Sequence, residues 1–554
     1  MKRNLIPLSN QIYDLVIVGS GIYGACLAWE ASLRGLSVAI IDQADFGAAT
    51  SANSLKIIHG GLRYLQTADF KRMRESIQER TALMRIAPHL VHPLPVLVPI
   101  YGHGKKGKEV MQLGMKLNDL ISCDRNKLAD PQKHIPNGRI ISTQDCQKLL
   151  PNLPSQGLTG GAIFCDAQVY NSERLTLLFL QSAEQIGAAV ANYVKVTGFL
   201  QAGNCVTGVQ AKDILTGNQF EIRAKTVVNT CGPWLNRVLG LVQQPAKIQL
   251  AKAMNLVLRR SLFETYAVGL SSRNCQNQSS RFLFIAPWRN KSMVGTYYTV
   301  CNQDPDDFQI TNQDILNFLN QINQTYPSAN LKLEDVAFVH GGLLPQSDIK
   351  TKTGEPLLSK HYQLRDHAQE GLNGLISVVG VKYTTARDVA QKTVDLIFKS
   401  WGQKPPQSVS TQVPLYGGKI ENFTSFLNEA INNSPYGLSK AVVSRLVYNY
   451  GSAYPNVLQY LRSERKPGYC SRQSDERAVL QAEVLHAVDR EMAQKLSDVV
   501  LRRTELGSAG HPGEQALKLC AETMGKELGW SDRRIKQEIE EVNRVYPSSS
   551  LTKV

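Results

Sequence analysis

Residues 13–18 read Tyr-Asp-Leu-Val-Ile-Val, an apolar, β-branched run of the kind that becomes a buried parallel strand. Gly19-Ser20-Gly21-Ile22-Tyr23-Gly24 follows at once, then an alanine- and leucine-rich stretch, 25–33, whose pattern predicts a helix that Gly35 ends. A second apolar strand is predicted over 37–41. Further along, the spacing of Met73, Ile77, Leu83 and Met84 predicts an amphipathic helix over 70–86. Short strands are predicted at 191–196, 226–229 and 377–381, with Pro233 and Trp234 starting a helix after the second of these. Pro405-Pro406 marks a boundary. Beyond Gly417 the pattern is helical, including 439–450, 483–503 and 531–546, with turns such as Gly510-His511-Pro512-Gly513 between them.

The strand–turn–helix–strand context turns the opening glycine pattern from a weak signal into a strong one. Gly19 permits the tight turn, Gly21 lets a pyrophosphate approach the backbone, Ile22 starts the helix whose N-terminus faces the phosphates, and Gly24 allows helix and strand to pack closely. Asp42 stands eighteen residues past Gly24, at the end of the second strand, where a carboxylate accepts hydrogen bonds from ribose hydroxyls. That far, NAD and FAD are equally served. The segment 45–65 separates them. It is dense in small hydroxylated residues and then in glycines, whereas a nicotinamide-binding domain continues with a plain βα repeat. Thr50, Ser51 and Ser54 supply hydroxyls for a pyrophosphate, and Gly60 and Gly61 supply close backbone for a flat isoalloxazine ring.

The same segment ends His59-Gly60-Gly61-Leu62-Arg63-Tyr64-Leu65, and here the chain resembles the FAD-dependent glycerol-3-phosphate dehydrogenase family of flavoprotein oxidoreductases. The likeness continues in Arg-Ile-Ala-Pro-His-Leu-Val-His-Pro at 85–93, Val-Asn-Thr-Cys-Gly-Pro-Trp at 228–234, Ala286-Pro287-Trp288, Val294-Gly295-Thr296, and Ser-Val-Val-Gly-Val-Lys-Tyr-Thr-Thr at 377–385. It implies an α/β fold: a discontinuous Rossmann-like FAD-binding domain (about 13–70, 155–245 and 355–400), a mixed-sheet capping domain (71–154 and 246–354), and a helical C-terminal domain over 405–554. It further implies a backbone contact from Val194 to the adenine, Gly232 beside the nucleotide, and a helix opened by Thr384 and Thr385 at the flavin's polar edge. Arg63 and Lys382 are implied to face the substrate, with Tyr64 lining the pocket. Oxidation of a secondary alcohol by a flavin needs a base or a cation for the hydroxyl proton, and His59 is the candidate base, the alternative being a histidine that only orients the loop. His89 and His92, flanked by prolines, read as structural.

The sequence departs from the family at the phosphate. An expected arginine is replaced in Gly342-Leu343-Leu344-Pro345-Gln346, a second is represented by Lys360, and two tyrosines, Tyr297 and Tyr298, stand where a threonine and an aspartate are usual. Lysine keeps the charge but loses the bidentate fork. Two substrate readings therefore stand: sn-glycerol 3-phosphate oxidised to dihydroxyacetone phosphate, with electrons passed to a quinone, or a different hydroxy or amino compound. The outside rivals are an NAD-dependent dehydrogenase and a flavin-binding protein with no turnover.

Composition refines the partners. The 554 residues exceed one simple core, and the net charge of +15 draws the surface toward something anionic, a phosphorylated substrate or acidic lipid headgroups. No nucleic-acid-binding motif is present. Ten scattered cysteines fit reduced thiols, and no apolar run approaches the ~18 residues that span a bilayer. The expectation is a cytoplasmic protein, peripheral on the inner face of the cell membrane through 101–130, where Lys105, Lys106 and Lys108 stand near Met111, Leu113, Met115, Leu117 and Leu120. No metal is expected; His486, Asp489 and Glu491 do not share one helix face as ligands would. A homodimer is left open.

Overall fold

Two sheets and a helical third are built from these elements in a computed structural model that describes residues 1–104, 107–244, 248–271, 282–347, 356–461 and 472–547. Lys105, Lys106, Cys275 and Cys470 therefore lie outside the described residues.

In the first sheet the strand Ile12–Val18 lies parallel between Val38–Ile41 and Gln219–Asn229, with Ala189–Ala191 and Leu375–Val379 continuing it on either side. Its central strands are buried on both faces, as parallel sheets require, by the helices Ile22–Leu33, Ser172–Gln185 and Ala386–Ser400 on one side. All four central strands end at one edge, so residues 18–24, 42–45, 229–232 and 380–385 gather there, at the place where an open α/β sheet binds its ligand.

The second sheet has nine strands. Met254, Leu256, Ile285 and Val294 pack on Ile315, Phe318, Leu319 and Ile322 of the helix Asn312–Thr325. The opposite face carries Val96, Val98, Ala286, Phe164 and Phe284 together with Leu55 and Ile57 of the small-residue segment. Leu158–Val169 belongs to this sheet, paired along its length with Val91–Tyr101, although the sequence assigned it to the flavin domain. Its pairing partner is distant in sequence, and alternation alone does not name a sheet.

The helix predicted over 483–503 is divided. Arg472–Glu491 ends before Met492, which has φ +56°, and the chain re-enters a helical turn at Val499–Arg503. The break aims Arg502 and Arg503 at Asp45: Arg502 Nε donates at 2.6 Å, and Arg503 Nη1 and Nη2 at 2.8 and 2.6 Å. Arg174 and Glu491 form a second buried pair nearby. His486 and Asp489 point to different partners, Glu491 and Tyr460, and no metal-binding group of His, Cys, Asp or Glu exists among the described residues. His89 is fully buried, and His92 is held by Lys133 Nζ at 2.7 Å, so both are packing elements.

Candidate active site

The helix Ile22–Leu33 is N-capped by Gly21 with no side-chain cap and no acid in its first turn, so its positive end is presented outward. Ser51 Oγ accepts from Ile22 N–H at 2.9 Å and brings a hydroxyl to that end. Asp42 takes the Ser20 amide and hydroxyl on one oxygen, at 2.7 and 2.8 Å, and the Ala44 amide on the other, at 2.9 Å; lone pairs remain for a ribose. A β-carbon at Gly24 would come 1.9 Å from the Gly19 carbonyl oxygen, so only glycine lets this helix descend onto the turn. Gly232, at φ +52°, leaves the far wall of the cradle open. The helix end facing outward, the Asp42 carboxylate with lone pairs to spare and the glycine cradle fit an adenine dinucleotide.

Three expected cofactor residues are engaged elsewhere. Thr50 Oγ1 donates to the Leu343 carbonyl at 2.9 Å and ties the small-residue segment to the capping sheet. Ser54 sits beside Ser172 and the amide of Lys56. Val194 spends its amide on the Asp42 carbonyl at 2.7 Å, so a contact to adenine would use another group. The sequence supplied these residue types correctly, but partners more than a hundred residues away decide where a hydroxyl points.

At the other end of the cradle, Tyr23 reaches from the glycine motif to the loop carrying Lys382. Its hydroxyl accepts from the amides of Val381 and Lys382, both at 2.9 Å, and donates to the Lys382 carbonyl at 2.7 Å. Burial pushes this phenol up to about 12, so it stays protonated and keeps all three bonds. Thr384 and Thr385 are buried behind it, at the start of Ala386–Ser400.

His59 is half-exposed and rests on Asp166, Nδ1 to Oδ2 at 2.9 Å, with its ring 5.3 Å from that of Phe284. Burial alone would raise the Asp166 carboxyl, but the His59 hydrogen bond, Arg80 and the Gly60 amide at 2.7 Å hold it below the usual carboxylate range. An ionised Asp166 accepts a hydrogen bond from His59 Nδ1–H and leaves Nε2 as the nitrogen with the free lone pair. A β-carbon at Gly60 would meet Arg80 Nη1 at 2.1 Å, and that guanidinium is held by the Cys165 carbonyl, so the loop can press onto Asp166 only through glycine. Sequence reasoning missed Asp166; its signal was an aspartate inside an otherwise apolar strand.

Lys382 Nζ lies over the Tyr64 ring, 4.4 Å from its centroid, and hydrogen-bonds the Tyr64 hydroxyl. Burial, then repulsion from Arg72, brings this lysine down to about 8. Gly61 opens the turn that carries Arg63 and Tyr64; Tyr64 is half-buried and Arg63 exposed.

A family model described as FAD dependent oxidoreductase matches residues 14–386, and one described as the C-terminal domain of alpha-glycerophosphate oxidase matches 408–535. A glycerol-3-phosphate dehydrogenase of Synechocystis sp. is 32% identical over 97% of both chains. The chain belongs to the FAD-dependent glycerol-3-phosphate dehydrogenase family. The aerobic glycerol-3-phosphate dehydrogenase of Staphylococcus haemolyticus is 30% identical over 91% of this chain and 88% of its own. The glycerol-3-phosphate dehydrogenase of Bacillus halodurans, solved in complex with FAD, superposes with a TM-score of 0.75 at 25% identity over 97% of this chain and 95% of its own. This family member is an FAD-dependent oxidoreductase, and the nicotinamide rival is set aside.

Within this dehydrogenase fold the unusual positions separate. Tyr297 stacks on Phe318, centroids 5.1 Å apart, on the helix-covered face of the capping sheet. The sequence placed this residue in the substrate pocket; in the structure its ring packs, partly buried, against the core of the cap. Tyr298 pairs with Ala253, which pairs in turn with Gly342 on the next strand, and Gly342 faces Thr50, so Tyr298 belongs to the face turned toward the flavin domain. Lys360 is exposed and lines a cavity of about 350 Å³ with His361 and Arg365, whose walls include neither Tyr64 nor Lys382. Its carbonyl, not its ammonium, reaches the site, by accepting from Arg72.

Proposed function

We propose that the chain oxidises the C2 carbinol of sn-glycerol 3-phosphate to dihydroxyacetone phosphate and passes the electrons to a membrane quinone at the inner face of the cell membrane. The observation that carries the reading is that one short loop, 59–64, bears both His59, which rests on Asp166, and Tyr64, which meets Lys382, in a chain of this family. Bound FAD supplies the two-electron acceptor, held at Gly19–Gly24, Asp42 and Ser51. His59 Nε2 takes the hydroxyl proton, Asp166 stabilises the imidazolium that results, and Lys382 steadies the oxygen as it gains carbonyl character. Anaerobic addition of sn-glycerol 3-phosphate to the holoprotein is expected to bleach the flavin's visible band, whereas glycerol and small amino acids leave it coloured at the same concentration. Retained colour with sn-glycerol 3-phosphate, FAD being bound, would move the substrate to another hydroxy or amino compound.

Support for the membrane reading comes from the helix Lys108–Ile121. It buries Met115 and leaves Val110, Leu113, Leu117 and Leu120 exposed, at spacings of three, four and three residues, so they form one apolar stripe. Leu113 and Leu120 are 68% and 72% accessible, values that a soluble helix seldom spends on leucine. Lys116 is exposed on the same helix, placed for acidic headgroups, and the helix packs on the Leu62–Thr67 turn that holds Arg63 and Tyr64. No helix among the described residues is long and apolar enough to cross a membrane. Replacing Leu113 or Leu120 by glutamate should weaken co-sedimentation with phosphatidylglycerol vesicles about tenfold or more, while flavin reduction is unchanged. Unaltered sedimentation would remove this face from the reading.

A further inference from the structure

We propose that Arg72 anchors the substrate's phosphate group, in a role the sequence leaves vacant at Leu344 and does not fill with Lys360. The inference rests on the glycerol 3-phosphate reading and names a specificity-determining residue for it. Leu344, on the edge strand Val336–Pro345, pairs with Ala251 and offers no charge, and the Lys360 side chain is turned to solvent. Among the described residues, the arginines whose charge acts on Tyr64, the ring that carries Lys382, are Arg72 and Arg63. Arg63 is exposed on a short turn, whereas Arg72 is fixed.

Arg72 occupies the third position of the helix Phe70–Ile86, whose N-cap Asp69 accepts from its amide at 3.1 Å and from its Nε at 2.5 Å. Its Nη1 donates to the Lys360 carbonyl at 3.1 Å, and Nη2 has no partner among the described residues. The guanidinium carbon lies 4.8 Å from the centroid of the Tyr64 ring, the ring that also carries Lys382 Nζ. Two cations therefore share one aromatic platform, close enough that Arg72 repels the charge on Lys382. Asp69 and Glu75 offset that repulsion in part, while Arg63 adds to the positive field at Tyr64. Two like charges held together by three neighbouring elements, with one guanidinium edge left over, are an arrangement that a bound phosphate dianion neutralises. An uncharged polyol would gain nothing from it. Because the fork is preorganised by Asp69 and Lys360, little side-chain freedom is lost on binding.

The test uses the FAD-loaded protein and three variants, Arg72→Gln, Arg72→Lys and Arg63→Gln, with FAD content and thermal midpoint measured alongside. In anaerobic rapid-mixing experiments Arg72→Gln is expected to weaken sn-glycerol 3-phosphate about thirty- to a thousandfold. Arg72→Lys should recover part of the loss, and Arg63→Gln should cost less than Arg72→Gln. Inorganic phosphate should compete with substrate in the wild type and lose that competition in Arg72→Gln. The alkaline limb of the binding profile, set by Lys382, should move to higher pH in Arg72→Gln because the repulsion is gone; a residue that only braced the loop would not move it. Equal affinity for sn-glycerol 3-phosphate in wild type and Arg72→Gln overturns the proposal. If the wild type is not bleached by sn-glycerol 3-phosphate at all, the substrate reading fails first. Calorimetric titration with inorganic phosphate then decides on Arg72 by itself, equal binding to both proteins overturning it.

Discussion

Replacing Asp166 by asparagine will slow substrate-driven reduction of the flavin by about a hundred- to ten-thousandfold with little change in substrate affinity, the range expected when a positioned general base is lost. Asparagine keeps the volume of the side chain and can still meet the Gly60 amide and Arg80, so the fold is expected to hold. What it removes is the negative charge that fixes the Nδ1 proton of His59 and stabilises the imidazolium. His59→Ala should fall in the same range, and the double variant should be barely slower than either, because the two act as one unit. Single-turnover reduction under anaerobic conditions measures all three. An Asp166→Asn protein within about threefold of the wild type would reduce His59 to a loop-orienting residue.

Arg503→Met is expected to destabilise the holoprotein by about 3–5 kcal/mol, although the residue lies in the helical third and touches no substrate. Its side chain is 1% accessible, gives two hydrogen bonds to Asp45 and two to the Glu491 carbonyl, and shares Asp45 with Arg502. Removal leaves a buried carboxylate short of a partner, and that loss outweighs the pair's own modest net worth. Asp45 stands three residues beyond Asp42, so the nucleotide loop should loosen with it. The thermal midpoint and the denaturant concentration that releases FAD should both drop. Combining Arg503→Met with Asp45→Leu should recover part of the loss, since an apolar pair strands no charge. An unchanged midpoint in the single variant would mean that Arg502 alone satisfies Asp45.

How far the sequence could be read followed the range of the interactions involved. The first strand, the helix after the glycine motif, the second strand, the amphipathic helix Phe70–Ile86 and the helices Lys440–Tyr450 and Asp532–Asn543 were legible, because periodicity and glycine act within a few positions. Family resemblance implied one pocket for Tyr64 and Lys382, which no spacing could suggest, since 318 residues separate them; their direct contact came only with the structure. Asp166, the bond from Arg72 to the Lys360 carbonyl and the diversion of Thr50 to Leu343 were not legible. Each depends on which distant strand or loop arrives beside a polar side chain, and local pattern carries no trace of that. Tyr297 was read from the family positions it shares with Tyr298, and adjacent strand residues face opposite sides, so one of the two had to turn toward Phe318 of the helix Asn312–Thr325.

The tyrosine that spans the two ends of the cradle also limits how this sequence can drift. Glycine-motif patterns leave position 23 unspecified, yet a β-carbon at Gly380 would fall 2.1 Å from an atom of the Tyr23 ring. Positions 23 and 380 therefore behave as a single unit of substitution. A smaller residue at 23 would free 380 to carry a side chain but would strip three hydrogen bonds from the backbone under Lys382, and a side chain at 380 would evict the ring. Lineages descending from this chain should keep the two residues together or exchange them together.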